Sequence, residues 1–183
     1  KPSSAASDVY KRQLIHSIEF DSIHGKWQAN IEEGKDEIKI DGKSIKATFV
    51  ENINDLSLDD VDIMIDCTGV HKSSSKLQKY FDKGVKKVIV SAPINEDNIV
   101  NIAYGVNHNI YKPKEHNIIT GASCTTNCIA PIIKVLHENI GINHGSITTI
   151  HNLTNSQTLV DIPHNDLRRG RSAINNLIPC LLY

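Results

Sequence analysis

The sequence predicts an α/β fold, in which a partial doubly wound parallel sheet is followed by the start of an α+β domain. Two apolar runs, at residues 61–69 and 86–93, enclose a helical pattern at 71–85. Strand, helix and strand within about 30 residues form a βαβ unit, which implies a parallel sheet. A further strand pattern at 116–120 leads directly into a helical pattern that ends at Gly141. These repeated strand–helix steps carry the prediction.

Each predicted element has a local reason in the sequence. Residues 14–50 partly alternate polar and apolar side chains, which predicts short strands and turns with a hairpin turn at Asp41-Gly42. The run 61–69 is predicted to be a buried parallel strand. The helix after it is predicted from apolar residues that share one face, namely Leu77, Tyr80 and Phe81.

The last part of the chain mixes one regular pattern with a long irregular one. Residues 146–154 are predicted to form a final strand that carries His151. Residues 155–179 are polar and rich in Arg, and we predict a long ordered loop there. Loops of this length inside compact domains are usually functional or disordered.

Composition excludes several classes of function. Among 183 residues, 20 Lys and Arg balance 21 Asp and Glu, so no nucleic-acid partner is indicated. No apolar run approaches the roughly 18 residues of a membrane helix, and no signal peptide pattern is present. The four cysteines are sparse and lack a secretory context, which favours a reducing, cytoplasmic location.

The two ends differ in pattern from the rest of the chain. Residues 1–13 share no pattern with the residues after them and resemble translated adaptor sequence, and residues 180–183 resemble a second such remnant. We therefore expect a fragment whose native segment runs from about Leu14 to Pro179. A natural disordered tail is the alternative for residues 1–13.

The most informative motif is Ala-Ser-Cys-Thr-Thr-Asn-Cys at 122–128. We expect Cys124 at or just before a helix N-terminus, where unpaired N–H groups and the helix dipole lower a thiol pKa below its free value of roughly 8.5. The same N–H groups can hold a developing oxyanion, and His151 can act as acid and base. The hydroxyls of Ser123, Thr125 and Thr154 can bind phosphate oxygens. This set suits covalent chemistry on a phosphorylated carbonyl compound.

The other cysteines have simpler interpretations. Most intracellular cysteines are small buried hydrophobic residues. We therefore expect the Cys128 side chain to pack against its neighbours and Cys67 to lie in the core. No metal site is predicted, because Cys-x3-Cys lacks a second ligand pair at a useful spacing.

An ordered set of motifs makes the chain resemble the glyceraldehyde-3-phosphate dehydrogenase family from Leu14 to Pro179. The matching stretches lie at 21–27, 67–70, 86–93, 104–111, 122–131 and 161–179. The resemblance implies an incomplete Rossmann-like NAD-binding domain at 14–123 and an incomplete catalytic domain at 124–179. It also implies oxidation of glyceraldehyde 3-phosphate to an acyl phosphate with NAD, through a thiohemiacetal and a thioester on Cys124, with His151 as acid–base partner.

The resemblance assigns further residues. Ser123, Thr125 and Thr154 match positions that contact substrate phosphate or the attacking phosphate. Thr68 and Ser91 match strand-end positions next to the cofactor, and the alternative for Ser91 is a simple strand cap.

The loop 155–179 resembles the family's S-shaped loop at subunit contacts, which implies a homotetramer. The alternative for its three arginines (Arg168, Arg169 and Arg171) is a solvated face. Ile162-Pro163 resembles the aliphatic residue and Pro that NAD-using members of the family carry at this place, and the resemblance therefore implies NAD rather than NADP.

Departures from the family limit these expectations. No Gly-x-Gly-x-x-Gly fingerprint occurs in the chain, and family order places it before Leu14. We therefore expect the 183-residue chain alone neither to bind NAD nor to turn over. Residues 151–157 resemble a branch associated with arsenic resistance, in which arsenate replaces phosphate. An erythrose-4-phosphate dehydrogenase, a noncatalytic binding module and a hydrolase that uses the same Cys–His pair also stay open as functions.

Overall fold

A computed structural model describes residues 4–50 and 52–178, and the backbone divides into two units, residues 1–134 and 135–183. The predicted non-native end at 180–183 lies outside the described residues.

The first unit begins with a helix that the sequence patterns did not predict. Helix α1 spans Ser4–Glu19, so the prediction of short strands from Leu14 is wrong for residues 14–19. Leu14, Ile15 and Ile18 are half-buried, and this spacing of one and four residues is helical rather than alternating. The Lys11 ammonium donates to the carbonyl oxygens of Gly34 (2.8 Å) and Lys35, and these bonds tie α1 to the following turn.

Short antiparallel strands come after α1, as predicted. They are β1 (Phe20–Asp21), β2 (Gly25–Lys26), β3 (Ile31–Glu33), β4 (Glu37–Ile40) and β5 (Lys43–Lys46), paired as β1-β2 and β3-β4-β5. The β4–β5 turn lies at Asp41-Gly42, which confirms the predicted hairpin. Both residues have positive φ, 49° and 77°, as a two-residue type I′ turn requires.

The parallel sheet of the first unit confirms the predicted α/β class. Its strands are β6 (Ile63–Asp66), β7 (Lys87–Val90), β8 (Val100–Asn101) and β9 (Ile118–Thr120), in the order β6-β7-β9-β8 with every pair parallel. Helix α2 (Ser74–Phe81) connects β6 to β7 and completes the predicted βαβ unit.

One face of this sheet carries the core. Leu77 of α2 and Val88 of β7 are fully buried, and Tyr80 and Val90 pack in the same cluster. On the opposite face of β6, Ile63 and Ile65 are 55% and 62% exposed. The described elements therefore cover one face of β6, and the prediction of a buried strand holds for that face alone.

Cys67 is exposed, so its predicted place in the core is wrong. Side chains alternate along a strand. Cys67 therefore continues the exposed row of Ile63 and Ile65, whereas Asp66 points toward the buried side.

Helix α3 (Cys124–Asn139) comes almost directly after β9 and begins at the predicted cysteine. It ends where the sequence predicts, because the N–H of Gly141 (φ 81°) donates to the carbonyl oxygens of Leu136 and His137. No residue of α3 is buried, so the prediction that Cys128 packs against neighbours is wrong. No described helix is long and apolar enough to cross a membrane.

The second unit contains no strand among its described residues, 135–178. The strand predicted at 146–154 is therefore absent. A strand needs a neighbour that satisfies its N–H and C=O groups, and no described segment of this unit pairs with it. Residues 155–178 form an irregular, internally bonded loop, as predicted: the N–H of Ile162 donates to Gly170 O and the N–H of Ala173 donates to Thr158 O, both at 2.9 Å.

Candidate functional site

The carboxyl ends of the parallel strands bring three segments to one edge of the first unit. The N–H of Ser91 donates to Asp66 O at the end of β6, and the N–H of Gly121 donates to Val90 O at the end of β7, each at 3.0 Å. Thr68, Ser91 and Gly121 therefore come after neighbouring strands at the same edge. Ligands of open parallel α/β sheets bind outside this edge.

Cys124 lies just beyond this edge as the first residue of α3, and it is exposed. Ser123 caps the helix, because its hydroxyl oxygen accepts the N–H of Thr126 at 3.0 Å. The Asn127 amide donates to Gly121 O (2.6 Å) and Ser123 O (2.9 Å), so it orders the helix start. The thiol is thus presented at a capped helix N-terminus on a short, bonded turn.

The proposed phosphate-binding hydroxyls next to Cys124 differ in their surroundings. Ser123 and Thr125 are half-buried. The Ser123 hydroxyl also lies 2.8 Å from that of Thr126, so it already takes part in two hydrogen bonds within the turn. Ser123 therefore acts first as a helix cap.

Thr68 belongs to a polar cluster that the sequence patterns did not reveal. Asp66, the last residue of β6, is 2% exposed, and its carboxylate accepts the N–H (2.8 Å) and hydroxyl (2.6 Å) of Thr68. The carboxylate also accepts a hydrogen bond from His71 Nδ1 at 2.7 Å and one from the Tyr80 hydroxyl at 3.0 Å. The signal that points to this cluster is an aspartate at the end of an otherwise apolar strand.

The cluster changes the acidity of two of its members. Burial raises the pKa of the Asp66 carboxyl, but hydrogen bonds from Thr68, His71 and Tyr80 outweigh burial and hold the pKa below its ordinary value. Burial, followed by the negative charge of Asp66, raises the pKa of Tyr80 to about 12. Asp66 is therefore an ionised anchor that orients Thr68 and His71.

His151 and Thr154 lie in the second unit and are exposed. His151 Nδ1 lies 2.6 Å from the carbonyl oxygen of Asn152. A carbonyl only accepts, so Nδ1 carries the proton and Nε2 of the neutral ring is the acceptor. The Thr154 hydroxyl lies 2.9 Å from that of Ser156, and Thr154 N–H donates to the Gln157 side chain at 3.0 Å.

The arginines of the loop are paired inside the loop. Arg168 makes two hydrogen bonds to the Asp166 carboxylate, at 3.0 and 2.9 Å. Arg171 pairs with Asp161 at 2.5 Å, and the N–H of Ser172 donates to the same carboxylate at 2.8 Å. Hydrogen bonds from Ser172 and then Arg171 hold the pKa of Asp161 below its ordinary value. These pairs stabilise the loop's own conformation.

Over residues 4–50 and 52–178, no group of three or more His, Cys, Asp and Glu side chains could hold a metal ion. The candidate site residues supply a thiol (Cys124), an imidazole (His151) and hydroxyls (Ser123, Thr125 and Thr154).

Comparison with known proteins identifies the same family at both ends of the chain. The family model for the NAD binding domain of glyceraldehyde 3-phosphate dehydrogenase matches residues 6–74, and that for its C-terminal domain matches residues 123–181. The first match begins at residue 6, and it therefore includes part of the stretch 1–13 that resembles adaptor sequence.

Individual relatives agree with the family models. The chain is 46% identical over 166 residues to glyceraldehyde-3-phosphate dehydrogenase 3 of Nostoc sp., covering 90% of this chain and 49% of the relative. It is 45% identical over 166 residues to glyceraldehyde-3-phosphate dehydrogenase 2 of Streptomyces avermitilis, with the same coverage. The enzyme of Thermotoga maritima is 43% identical over 170 residues, 92% of this chain and 50% of the relative. The chain thus spans about half the length of the curated relatives it matches.

Proposed function

Since this chain belongs to the glyceraldehyde-3-phosphate dehydrogenase family, we propose that the full-length protein oxidises glyceraldehyde 3-phosphate to an acyl phosphate with NAD and inorganic phosphate. The observation that carries the proposal is the exposed Cys124 at a capped helix N-terminus, beside the carboxyl edge of a parallel sheet. A reactive thiol needs both access and a favourable field for its anion, and this position supplies both.

Cys124 acts as the nucleophile. Its thiolate attacks the aldehyde carbon and forms a C–S bond, and the carbonyl oxygen takes a proton from protonated His151 and becomes the hydroxyl of a thiohemiacetal. The N-terminal turn of α3 favours negative charge on that oxygen during attack. Loss of a hydride from carbon then leaves a thioester on Cys124.

His151 moves the protons. In its neutral form Nε2 is an acceptor, because Nδ1 is held by the Asn152 carbonyl oxygen at 2.6 Å. His151 takes the thiohemiacetal proton as the hydride departs. Phosphate then attacks the thioester carbon, the C–S bond breaks, and the thiolate of Cys124 is restored.

The carboxyl edge of the sheet is the proposed position of the dinucleotide. NAD, when bound, supplies the hydride acceptor. Ser91 is exposed at this edge and can donate to a ligand. The Thr68 hydroxyl donates to Asp66 and accepts the N–H of Val70 at 3.2 Å, so toward a ligand it acts as an acceptor. Thr68 and Ser91 are therefore proposed as cofactor contacts with different hydrogen-bonding roles.

The same proposal extends to finer features of the function. Ser123, Thr125 and Thr154 bind phosphate groups of the substrate or of the attacking anion. Arsenate has the same charge and tetrahedral shape as phosphate, so one site accepts both. The internally braced loop 155–178 is the proposed contact surface of a homotetramer, and the enzyme is proposed to work in the cytoplasm.

The test is steady-state formation of NADH by the full-length protein, with Cys124→Ser beside the matched control Cys128→Ser. We expect Cys124→Ser to lose at least about a thousandfold in kcat. Cys128→Ser should stay within about twofold, because Cys128 is exposed and has no step in the mechanism. Near wild-type turnover by Cys124→Ser would refute the proposal. Turnover with phosphate but none with arsenate would remove the arsenate role alone.

A further inference from the structure

The turn that carries Cys124 contains a strained residue. Ala122 has φ 55°, in the left-handed region that a side chain with a Cβ rarely adopts, and it is 6% exposed. The preceding residue is a glycine, Gly121, but the positive φ lies at Ala122 instead. Non-glycine residues stay in such conformations only when their surroundings hold them there, and they cluster at functional sites.

The group that holds Ala122 is the hydroxyl of Thr120. Thr120 is fully buried, and its Oγ1 accepts the N–H of Ala122 at 3.0 Å. The same oxygen donates its only proton to Asn101 Oδ1 at 2.5 Å. One hydroxyl thus joins the end of β9 to both the strained turn and β8, with its donor and acceptor directions fixed.

Asn101 is itself held in place from several sides. Its Oδ1 accepts the N–H of Ile94 at 3.1 Å, and its Nδ2 donates to Ile94 O at 2.8 Å. Its carbonyl oxygen accepts the Asn107 amide at 3.0 Å. The acceptor that meets Thr120 therefore cannot swing away without breaking two further hydrogen bonds.

Beyond Ala122 the backbone continues directly into the cap and first turn of α3. Ser123 caps the helix, and Asn127 bonds to Gly121 O on the other side of Ala122. Ala122 is thus held at its own N–H by Thr120, and the hydrogen bond from Asn127 holds the residue before it, Gly121. Alanine at this position also leaves the backbone fewer alternative conformations than glycine would.

We propose that Thr120 and Asn101 are positioning residues for Cys124: they hold Ala122 in its left-handed conformation and thereby fix the direction of the thiol. This inference rests on the proposed role of Cys124 as nucleophile. Neither residue touches the reacting atoms. Their loss displaces the thiol from its line of attack while the rest of the sheet edge is retained, and small misplacements of a reacting group are costly in rate.

The test compares Thr120→Val, which keeps the shape but removes the hydroxyl, with Thr120→Ser, which restores it. In the full-length protein we expect Thr120→Val to lower kcat and the rate of Cys124 alkylation by iodoacetamide by about tenfold or more, with KM for the aldehyde changed by less than about twofold. Thr120→Ser should recover both rates to within about threefold of wild type. Thermal unfolding of each variant shows that the comparison is made on folded protein.

Asn101→Ala provides a second variant that leaves the Ala122 hydrogen bond intact, and it carries the test where Thr120→Val does not fold. We expect it to lower kcat about threefold or more, again with little change in KM. Wild-type kcat and alkylation in folded Thr120→Val, equal losses in Thr120→Val and Thr120→Ser, or wild-type kcat in Asn101→Ala would each overturn the positioning role. Failure of the proposed function itself is separate, since it appears as an active Cys124→Ser enzyme.

Discussion

The two segments that carry the proposed catalytic residues are built in opposite ways. The turn before Cys124 grows out of a buried parallel strand, and Thr120 and Ala122 are themselves buried and hydrogen-bonded. The segment around His151 is exposed from residue 141 to residue 156, and its described bonds join residues close in sequence. The difference shows that the geometry of the thiol is set within its own unit. The described bonds around His151 are short-range and join exposed residues.

The largest expected effect comes from a cavity in the core of the first unit. We expect Leu77→Ala to lower the free energy of unfolding of the 183-residue chain by about 3 kcal/mol, because Leu77 is fully buried under the sheet. Leu167→Ala in the second unit, where Leu167 is 86% exposed, should change it by less than about 0.5 kcal/mol. Urea unfolding measures both, and equal effects would break the contrast between the units.

A smaller loss is expected when the anchor at the end of β6 is neutralised. Asp66→Asn should lower the free energy of unfolding by about 2 kcal/mol, because four hydrogen-bond donors point at the Asp66 carboxylate. The exposed Asp97→Asn is the matched control. A variant as stable as the control would show that the cluster contributes nothing to the sheet edge.

The lowered pKa of Asp66 predicts that the stability of the fold depends on pH. The pKa of Asp66 is lower in the folded chain than its ordinary value. Its contribution to stability is therefore complete above the ordinary value and disappears as the pH falls through the lowered folded value. Urea midpoints measured across this acidic range should fall for the wild type and fall less for Asp66→Asn. Parallel curves would contradict the assignment.

Loss of the helix cap beside Cys124 should cost less again. Ser123→Ala removes the acceptor of the Thr126 N–H and should lower the free energy of unfolding by about 1 kcal/mol. Ser123→Asp, which keeps a capping oxygen, should recover most of this loss. If Ser123→Ala unfolds at the wild-type urea concentration, the cap does not hold the start of α3.

The smallest effect is expected beside His151. Asn152 is exposed, and its side chain accepts only the adjacent Leu153 N–H (2.8 Å) among its described bonds. Asn152→Ala should therefore change the free energy of unfolding by less than about 0.5 kcal/mol. A loss above about 1 kcal/mol in urea unfolding would mean that residues 146–154 are packed, and it would remove the contrast with the Cys124 turn.

Local patterns were sufficient where an element and its partner lie in the same stretch of sequence. The βαβ unit, the Asp41-Gly42 hairpin and the start of α3 at Cys124 were predictable because periodicity, turn residues and capping act over a few positions. The strand at 146–154 was predicted from its residues alone, but a strand also depends on a neighbour that local pattern does not supply. Cys67 was misplaced because an apolar run does not show which face is covered.

Some residues of the candidate site could likewise be found from local sequence patterns, and others could not. Cys124 could be found from its motif, whereas Asp66, His71 and Tyr80 meet only because β6 and α2 are packed together. The strain at Ala122 has no signal in the sequence, since alanine is not a residue that marks positive φ. Bonds between strands, such as that from Thr120 to Asn101, require the sheet order to be known.

The central claim is that Cys124 carries the acyl group, and trapping that group tests it most directly. The full-length protein is incubated with glyceraldehyde 3-phosphate and NAD without phosphate, digested with trypsin, and analysed by tandem mass spectrometry of the peptide Glu115–Lys134, which contains both Cys124 and Cys128. We predict an acyl thioester on Cys124, lost when phosphate is added. An acyl group on Cys128 or on another peptide, or none in a protein that still forms NADH, would contradict the account.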